Sequence, residues 1–216
     1  MKNLVFDLDG TLIDSSSSIL EGLRGAFAAC SRQPMRPLAA ELIGPPLRQT
    51  LALLAGTEDD AVLQPLAEAF KAHYDNEGYR LTRVFPGVAE MLEVLAAADY
   101  PMFIATNKRV HPTLLILSHL DWGKLFRGVY ALDAFDPPLR DKSAMLERIL
   151  GLHKLDPHAT LYIGDRDEDS AAAAANAMPF AWASWGYGGG AQAPRPTWLH
   201  LQRPADLWRQ LAAAKH

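Results

Sequence analysis

Cysteine is almost absent from this sequence of 216 residues, since Cys30 is the only one. A single thiol excludes an internal disulfide, and it also excludes a zinc site built from several thiolates. Chains without disulfides are typical of reducing compartments. We therefore predict a cytoplasmic protein.

An excess of positive charge is also lacking. Lys and Arg total 21 against 25 for Asp and Glu, which gives a formal net charge of −4. Proteins that bind nucleic acid or anionic membranes through charge have the opposite balance. The sequence thus argues against nucleic acid and against a membrane surface as the main partner.

Long apolar runs are missing as well. The start, MKNLVFDLDG, has only three apolar residues in a row before Asp7, whereas a secretion signal needs roughly seven or more. No charged residue lies between Asp169 and Arg195, but alanines, Asn176, Pro179 and a glycine cluster break up that stretch. We predict no membrane span.

What the chain does contain is an alternation of short apolar runs and helical stripes. The runs LVFDL, PMFIAT, GVYAL, TLYIG and FAWAS have the length of buried strands, and helical segments separate them, as in βαβ units. They predict an α/β fold with about five parallel strands in a doubly wound sheet. Only helical stripes occur between Ser15 and Gly78. We predict a core of residues 1–14 and 83–216 with an all-helical insert at 15–82.

Polar residues follow the predicted strands at the ends where ligands collect in such sheets. They are Asp7, Asp9 and Gly10, then Thr106 and Asn107, then Lys142, and finally Asp165 and Asp169. The parallel topology brings all of these positions to one rim of the sheet, although they are far apart in the sequence.

The chemistry of this rim predicts phosphoryl transfer. Four crowded carboxylates (Asp7, Asp9, Asp165 and Asp169) repel one another by several kcal/mol at ~4 Å, and a divalent cation relieves that repulsion. Ligands that are all oxygen favour Mg²⁺. The Thr106 hydroxyl, backbone amides near Gly10 and Asn107, and the Lys142 ammonium supply donors for a phosphoryl group.

These residues also carry a family resemblance. DLDGTLIDS, the triplet ATN, Lys142 in RDKSAML, and GDRDEDS resemble, in this order, the four motifs of the haloacid dehalogenase-like phosphatases. The chain is similar to their phosphoglycolate phosphatase branch, which has a Rossmann-like core and a helical cap inserted after the first strand. Two departures are Ser143 where many members have proline, and the extra acidic residues Asp167 and Glu168.

The resemblance implies specific roles. Asp7 is then the nucleophile that forms an aspartyl-phosphate, and Asp9 is the general acid and base. Thr106 and Lys142 neutralise the transferring oxygens, while Asp165 and Asp169 hold Mg²⁺ directly or through water. The expected partner is a small phosphorylated metabolite, and the expected state is a monomer or a homodimer.

The resemblance also extends to the cap. The insert is interpreted as a lid with hinges near Asp14–Ser15 and 82–85, or alternatively as a rigid dimerisation platform. Arg48, after the turn Gly44-Pro45-Pro46, resembles the cap segment that approaches the active site. It is our candidate for binding the carboxylate of 2-phosphoglycolate, with a solvated arginine as the rival interpretation.

Other interpretations stay open at this point. Thr106 and Asp169 could be helix caps, and Lys108 or Arg140 could take the role of Lys142. The GYGGG run at 186–190 is typical of a mobile surface loop. A phosphomutase would keep every catalytic residue, whereas a receiver domain lacks the insert and a true dehalogenase has no use for the metal cluster.

Overall fold

The computed structural model describes residues 1–188 and 199–213. The strands in these ranges are β1 (Asn3–Phe6), β2 (Ile13–Asp14), β3 (Arg83–Val84), β4 (Met102–Thr106), β5 (Gly128–Ala131), β6 (Thr160–Gly164), β7 (Phe180–Ala183) and β8 (Leu199–Leu201). The α-helices are α1 (Ser16–Ala29), α2 (Leu47–Ala55), α3 (Asp60–Tyr74), α4 (Val88–Ala97), α5 (Val110–His119), α6 (Lys142–His153), α7 (Asp167–Ala175) and α8 (Pro204–Ala213). Short 3-10 helices lie at Ala40–Leu42, Gly78–Leu81, Leu132–Ala134 and Pro157–Ala159.

Six strands form one parallel sheet in the order β5-β4-β1-β6-β7-β8. Every neighbouring pair in it runs parallel, which confirms the predicted doubly wound α/β class. The sixth strand, β8, is an addition to the five predicted strands. Its sequence, LHL, is too short to give an alternation signal.

Helices cover both faces of this sheet, because successive strand residues point in opposite directions. Leu4 and Phe6 pack on one face with α4, α5 and α8, and Val5 packs on the other with α6 and α7. Burial on both faces explains why the strands are continuous apolar runs.

The helices of the insert form a hydrophobic cluster of their own. Leu23 and Phe27 of α1 pack with Leu51 of α2 and with Leu66 and Phe70 of α3. Both connections between these helices and the sheet run through a small antiparallel ribbon, in which β2 pairs with β3. The predicted hinges therefore lie on this ribbon.

None of the helices in the described ranges is long and apolar enough to cross a membrane.

Candidate active site

Asp7 follows the central strand β1, where its backbone N–H donates to the Ile163 carbonyl at 2.8 Å. Its side chain is almost fully buried and lies 3.0 Å from the Lys142 Nζ. Burial raises the pKa of Asp7 well above its ordinary value, Lys142 acts in the opposite direction, and the Asp169 and Asp165 carboxylates raise it further. A cation beside this carboxyl would therefore favour its ionised form.

Three of the predicted carboxylates converge. Oxygen atoms of Asp7, Asp165 and Asp169 lie within 4.8 Å of one another, and all three residues are buried. An all-oxygen donor set of high negative charge fits a hard divalent cation such as Mg²⁺.

Asp165 is enclosed by backbone. One of its carboxylate oxygens accepts N–H bonds from Tyr187 at 2.8 Å and Gly188 at 3.3 Å. A Cβ on Gly10 would lie 2.4 Å from that oxygen, so the backbone reaches the carboxylate only because residue 10 is glycine. Burial is the main reason that the pKa of Asp165 is raised to about 6.

Asp169 has three hydrogen-bond partners besides its place in the carboxylate group. One oxygen accepts from the Lys142 ammonium and from the Tyr162 hydroxyl, and the other accepts the Arg166 backbone N–H at 3.0 Å. The last bond caps α7, so the capping interpretation holds alongside the metal interpretation. Glu168 points elsewhere and accepts from the Asn107 amide at 3.1 Å.

The structure does not bring the Asp9 carboxylate into the three-carboxylate group. One Asp9 oxygen lies 3.0 Å from the Lys108 Nζ, and the other accepts the Ser15 hydroxyl. Burial acts to lower the pKa of Lys108, but the charge of Asp9 and the nearby Tyr74 outweigh it and raise that pKa. Asp9 therefore has its own buried cation, separate from Lys142.

The predicted phosphate donors lie at or after the ends of the strands, and one of them, Lys142, contacts Asp7. Thr106 is buried at the end of β4, and its oxygen accepts the Lys108 backbone N–H at 3.1 Å, which leaves its O–H free to donate. Asn107 follows Thr106, and Gly10, in the loop between β1 and β2, has a left-handed φ of 89°. Lys142 is the first residue of α6 and is 3% exposed, whereas Arg140 pairs with Asp141 at the surface.

The helical insert contacts the rim of the core. The Asn107 Nδ2 donates to the Gly44 carbonyl at 3.0 Å, and the Arg166 guanidinium donates to the Ala40 carbonyl at 3.3 Å. Arg109 forms a bidentate pair with Asp75 at 2.6 and 2.8 Å. These contacts join the cap loop and the end of α3 to the rim of the sheet.

A cavity of about 60 Å³ remains between cap and core. Its lining is mostly apolar on the cap side and polar on the core side: Asp9, Ile19, Leu23, Leu42, Ile43, Gly44, Pro45, Leu47, Thr50, Phe70, Tyr74, Asn107, Lys108, Arg109 and Pro112. A ligand in this cavity would contact Asp9.

The sequence profile of the family described as haloacid dehalogenase-like hydrolase matches residues 4–183. The chain belongs to this family. The match includes the three converging carboxylates, Lys142 and the whole insert.

Individual proteins support this membership. This haloacid dehalogenase-like hydrolase is 30% identical over 188 residues to the tyrosine-protein kinase PtkA of Mycobacterium tuberculosis, covering 86% of this chain but only 62% of PtkA. It is 31% identical to phosphoglycolate phosphatase of Cereibacter sphaeroides, covering 99% of this chain and 100% of that protein. A haloacid dehalogenase-like family hydrolase of Streptococcus pneumoniae superposes with a TM-score of 0.83 at 24% identity, covering 98% of both chains, and shows the same fold.

Arg48 does not line the cavity of this haloacid dehalogenase-like hydrolase. It lies on α2 with about half of its side chain exposed, paired with Asp60 and, at 3.7 Å, with Glu58. It borders a separate groove of about 300 Å³ that also reaches Asn107 and Arg109.

Two contributions to the hydrolase site were not predicted from the sequence. Lys108 was considered only as a substitute for Lys142, although it pairs with Asp9. The first part of the GYGGG run is not a free surface loop, since the Tyr187 and Gly188 backbone N–H groups donate to Asp165. The Tyr187 hydroxyl also donates to the Asp14 carboxylate and accepts the Ser15 backbone N–H, both at 2.9 Å. Residues 189 and 190 of that run lie outside the described residues. The position of Lys108, directly after the ATN triplet, was the available signal.

Proposed function

We propose that this hydrolase is a Mg²⁺-dependent phosphatase that cleaves a small phosphomonoester through an aspartyl-phosphate on Asp7. The observation that carries the proposal is the separation of two carboxylates with different surroundings. Asp7 lies with Asp165, Asp169 and Lys142, whereas Asp9 lies with Lys108 and faces the cavity. Two carboxylates in different environments are suited to different tasks.

In the first half-reaction an Asp7 oxygen attacks phosphorus, and the bond from phosphorus to the ester oxygen breaks. Asp9, which is positioned at the cavity, donates its proton to the departing alkoxide. The alcohol leaves and Asp7 carries the phosphoryl group as an acyl phosphate.

In the second half-reaction Asp9 accepts a proton from a water molecule that attacks phosphorus. The bond to Asp7 breaks, inorganic phosphate leaves and the Asp7 carboxylate is restored. Lys108 holds the Asp9 carboxylate in place through both proton transfers.

Asp7, Asp165 and Asp169 would hold the Mg²⁺ ion, which when bound supplies positive charge to the carboxylates and to the transferring phosphoryl oxygens. Lys142, the Thr106 hydroxyl and backbone amides at Gly10 and Asn107 neutralise the remaining oxygen charge.

We assign residues 15–82 as the cap that excludes water from the acyl phosphate, with Arg166 and Asn107 as the core residues that hold it closed. Phosphoglycolate enters as one candidate ester through the name of the Cereibacter sphaeroides relative. The cytoplasm is the proposed location.

The test is release of p-nitrophenol from p-nitrophenyl phosphate. We expect Mg²⁺ removal by exhaustive chelation to lower the rate at least ~100-fold, because charge stabilisation is the main source of catalysis in phosphoryl transfer, and we expect added Mg²⁺ to restore it. Asp7→Asn should abolish turnover, since an amide is not a competent nucleophile.

The matched control is Asp121→Asn, at an exposed left-handed position that asparagine tolerates. It should keep the full rate. Activity that survives chelation, or a fully active Asp7→Asn protein, would contradict the proposal. Hexose phosphate isomerisation, followed in parallel, would identify a phosphomutase instead.

A further inference from the structure

The cavity beside Asp9 restricts the size of the leaving group. Its volume of about 60 Å³ exceeds the roughly 10–15 Å³ that a cavity needs to hold one water, so it has room for a small group. Asp9 lies on its core side and apolar cap residues such as Leu23, Ile43 and Phe70 line the other side. The alcohol that Asp9 protonates must fit into this space while the cap is closed.

The cations that line the cavity already have partners. The Lys108 Nζ lies 3.0 Å from Asp9, and Arg109 is held by both oxygens of Asp75. Among the described residues of the lining, these are the only positively charged side chains. A carboxylate on the leaving group would enter an apolar space without a free counter-charge, which is costly.

Two neutral hydrogen-bonding groups, in contrast, have capacity left there. The Asn107 Oδ1 is buried and has no hydrogen-bond partner in the part of the chain that the structure describes. The Tyr74 hydroxyl is buried beside the Lys108 ammonium, and its O–H has no acceptor among the described residues. The Asn107 Nδ2 donates to Gly44 and Glu168, so the unpaired atom of this amide is the acceptor oxygen. An acceptor oxygen attracts a hydroxyl group and repels a carboxylate.

We propose that the substrate is the phosphate ester of a small, uncharged alcohol that carries a second hydroxyl group, and that Asn107 and Tyr74 select it by hydrogen bonding to that hydroxyl. The proposal rests on the phosphatase function proposed above and names its substrate class. The substrate hydroxyl would give the Asn107 oxygen a donor and the Tyr74 O–H an acceptor, which relieves the cost of buried polar groups without partners, while the apolar walls exclude charged leaving groups.

The experiment compares three esters of nearly equal size: 2-hydroxyethyl phosphate, n-propyl phosphate and 2-phosphoglycolate. On a shared phosphoryl-oxymethylene unit they carry a hydroxymethyl, an ethyl or a carboxylate group. We expect kcat/KM to be at least ~10-fold higher for the hydroxyl ester than for the methyl ester, because a site that binds a hydroxyl rejects analogues without it. The carboxylate ester should be the poorest substrate.

A variant then tests the assigned residue. Tyr74→Phe keeps the ring and should reduce the preference for 2-hydroxyethyl over n-propyl phosphate at least ~3-fold, whatever the absolute rates. The control is Tyr79→Phe, which removes a cap hydroxyl that accepts from Arg80 at the surface and lies outside the cavity lining. This control should keep the wild-type preference.

The outcomes separate the two proposals. If p-nitrophenyl phosphate is cleaved and 2-phosphoglycolate is the best of the three esters, the substrate inference is overturned and the phosphatase function stands. If the preference for the hydroxyl ester is the same in Tyr74→Phe as in wild type, the role of Tyr74 is overturned. Release from none of the esters, p-nitrophenyl phosphate included, would overturn the phosphatase function and this inference with it.

Discussion

Charged side chains are buried at the rim of the sheet and exposed on the outer surface of the cap. At the rim, Asp7, Asp9, Lys108 and Lys142 are buried and lie within 3.0 Å of an oppositely charged partner. On the cap, charged side chains such as Arg48 pair at the surface with more than half of the side chain exposed, and the face turned to the cavity is apolar.

We expect this difference to give the two regions different roles in catalysis. Buried, paired charges form a fixed electrostatic environment, which favours phosphoryl chemistry because it needs no reorganisation during the reaction. An apolar cap face contributes shape and exclusion of water. Changes at the rim should therefore have large effects on every ester, and changes on the cap surface should have small ones.

The largest effect in this comparison is expected for Lys108→Met, which keeps the chain length and removes the cation beside Asp9. Proton transfer by a positioned group contributes roughly 10²–10⁴-fold, so we expect kcat to fall about 100-fold on n-propyl phosphate. The loss should be smaller on p-nitrophenyl phosphate, because p-nitrophenolate leaves without protonation.

Lys124→Met, at an exposed position, is the matched control and should retain wild-type kcat. Equal losses on the two esters would show that Lys108 supports the fold and does not position the acid.

An intermediate effect is expected from pH. Burial raises the pKa of Asp165 to about 6, so below pH 6 this carboxyl must release a proton before it can bind Mg²⁺. Mg²⁺ affinity, measured by calorimetry, should fall at least about tenfold for each pH unit below 6, because Asp165 and also Asp7, whose pKa is raised as well, release protons on binding. Because the raised pKa favours the protonated folded state, its contribution to the stability of the metal-free protein is full below the unfolded pKa and is lost as the pH rises through 6.

Asp165→Asn should weaken Mg²⁺ binding and flatten this pH dependence. Asp167→Asn, at an exposed position two residues away, should leave both unchanged. A wild-type affinity that does not vary between pH 5 and 7 would contradict the assignment of Asp165 as a buried ligand.

The smallest effect is expected for Arg48→Ala. Exposed ion pairs contribute about 0–1 kcal/mol, and Arg48 does not line the cavity. We therefore expect the KM for each of the three esters to change less than ~3-fold. The control is Arg24→Ala, at another exposed position, which should behave in the same way. The sequence-derived hypothesis makes the opposite prediction, an increase of ~10-fold or more in the KM for 2-phosphoglycolate alone. That result would assign substrate recognition to the cap surface.

Sequence patterns predicted the positions at which the strands end, and therefore the convergence of Asp7, Asp165 and Lys142. Parallel strands fix those positions without reference to side-chain conformation. The direction of each side chain after the strand end is a different matter, because it depends on turns and on distant partners. Asp9 turns from the carboxylate group toward Lys108 and Ser15 for that reason.

The same limit explains two other differences. Asp169 and Glu168 are neighbours with equal charge, and only the start of α7 decides that Asp169 faces the buried cluster while Glu168 faces Asn107. Tyr187 contacts Asp165, which is 22 positions away, and Asp14, which is 173 positions away, and no local pattern records a contact of the second kind.

The central place of β1 also governs the order in which the protein can assemble during synthesis. Leu4 pairs with Met102 and Asn3 pairs with Thr160, so the strand that is made first waits for both of its neighbours until most of the chain has left the ribosome. The helices α1 to α3 contact one another within residues 16–74 and can acquire structure much earlier. The insert of the nascent chain can thus fold while the apolar strand β1 is still unpaired. A translational pause before residue 160 prolongs the time during which β1 is exposed to aggregation and to chaperones.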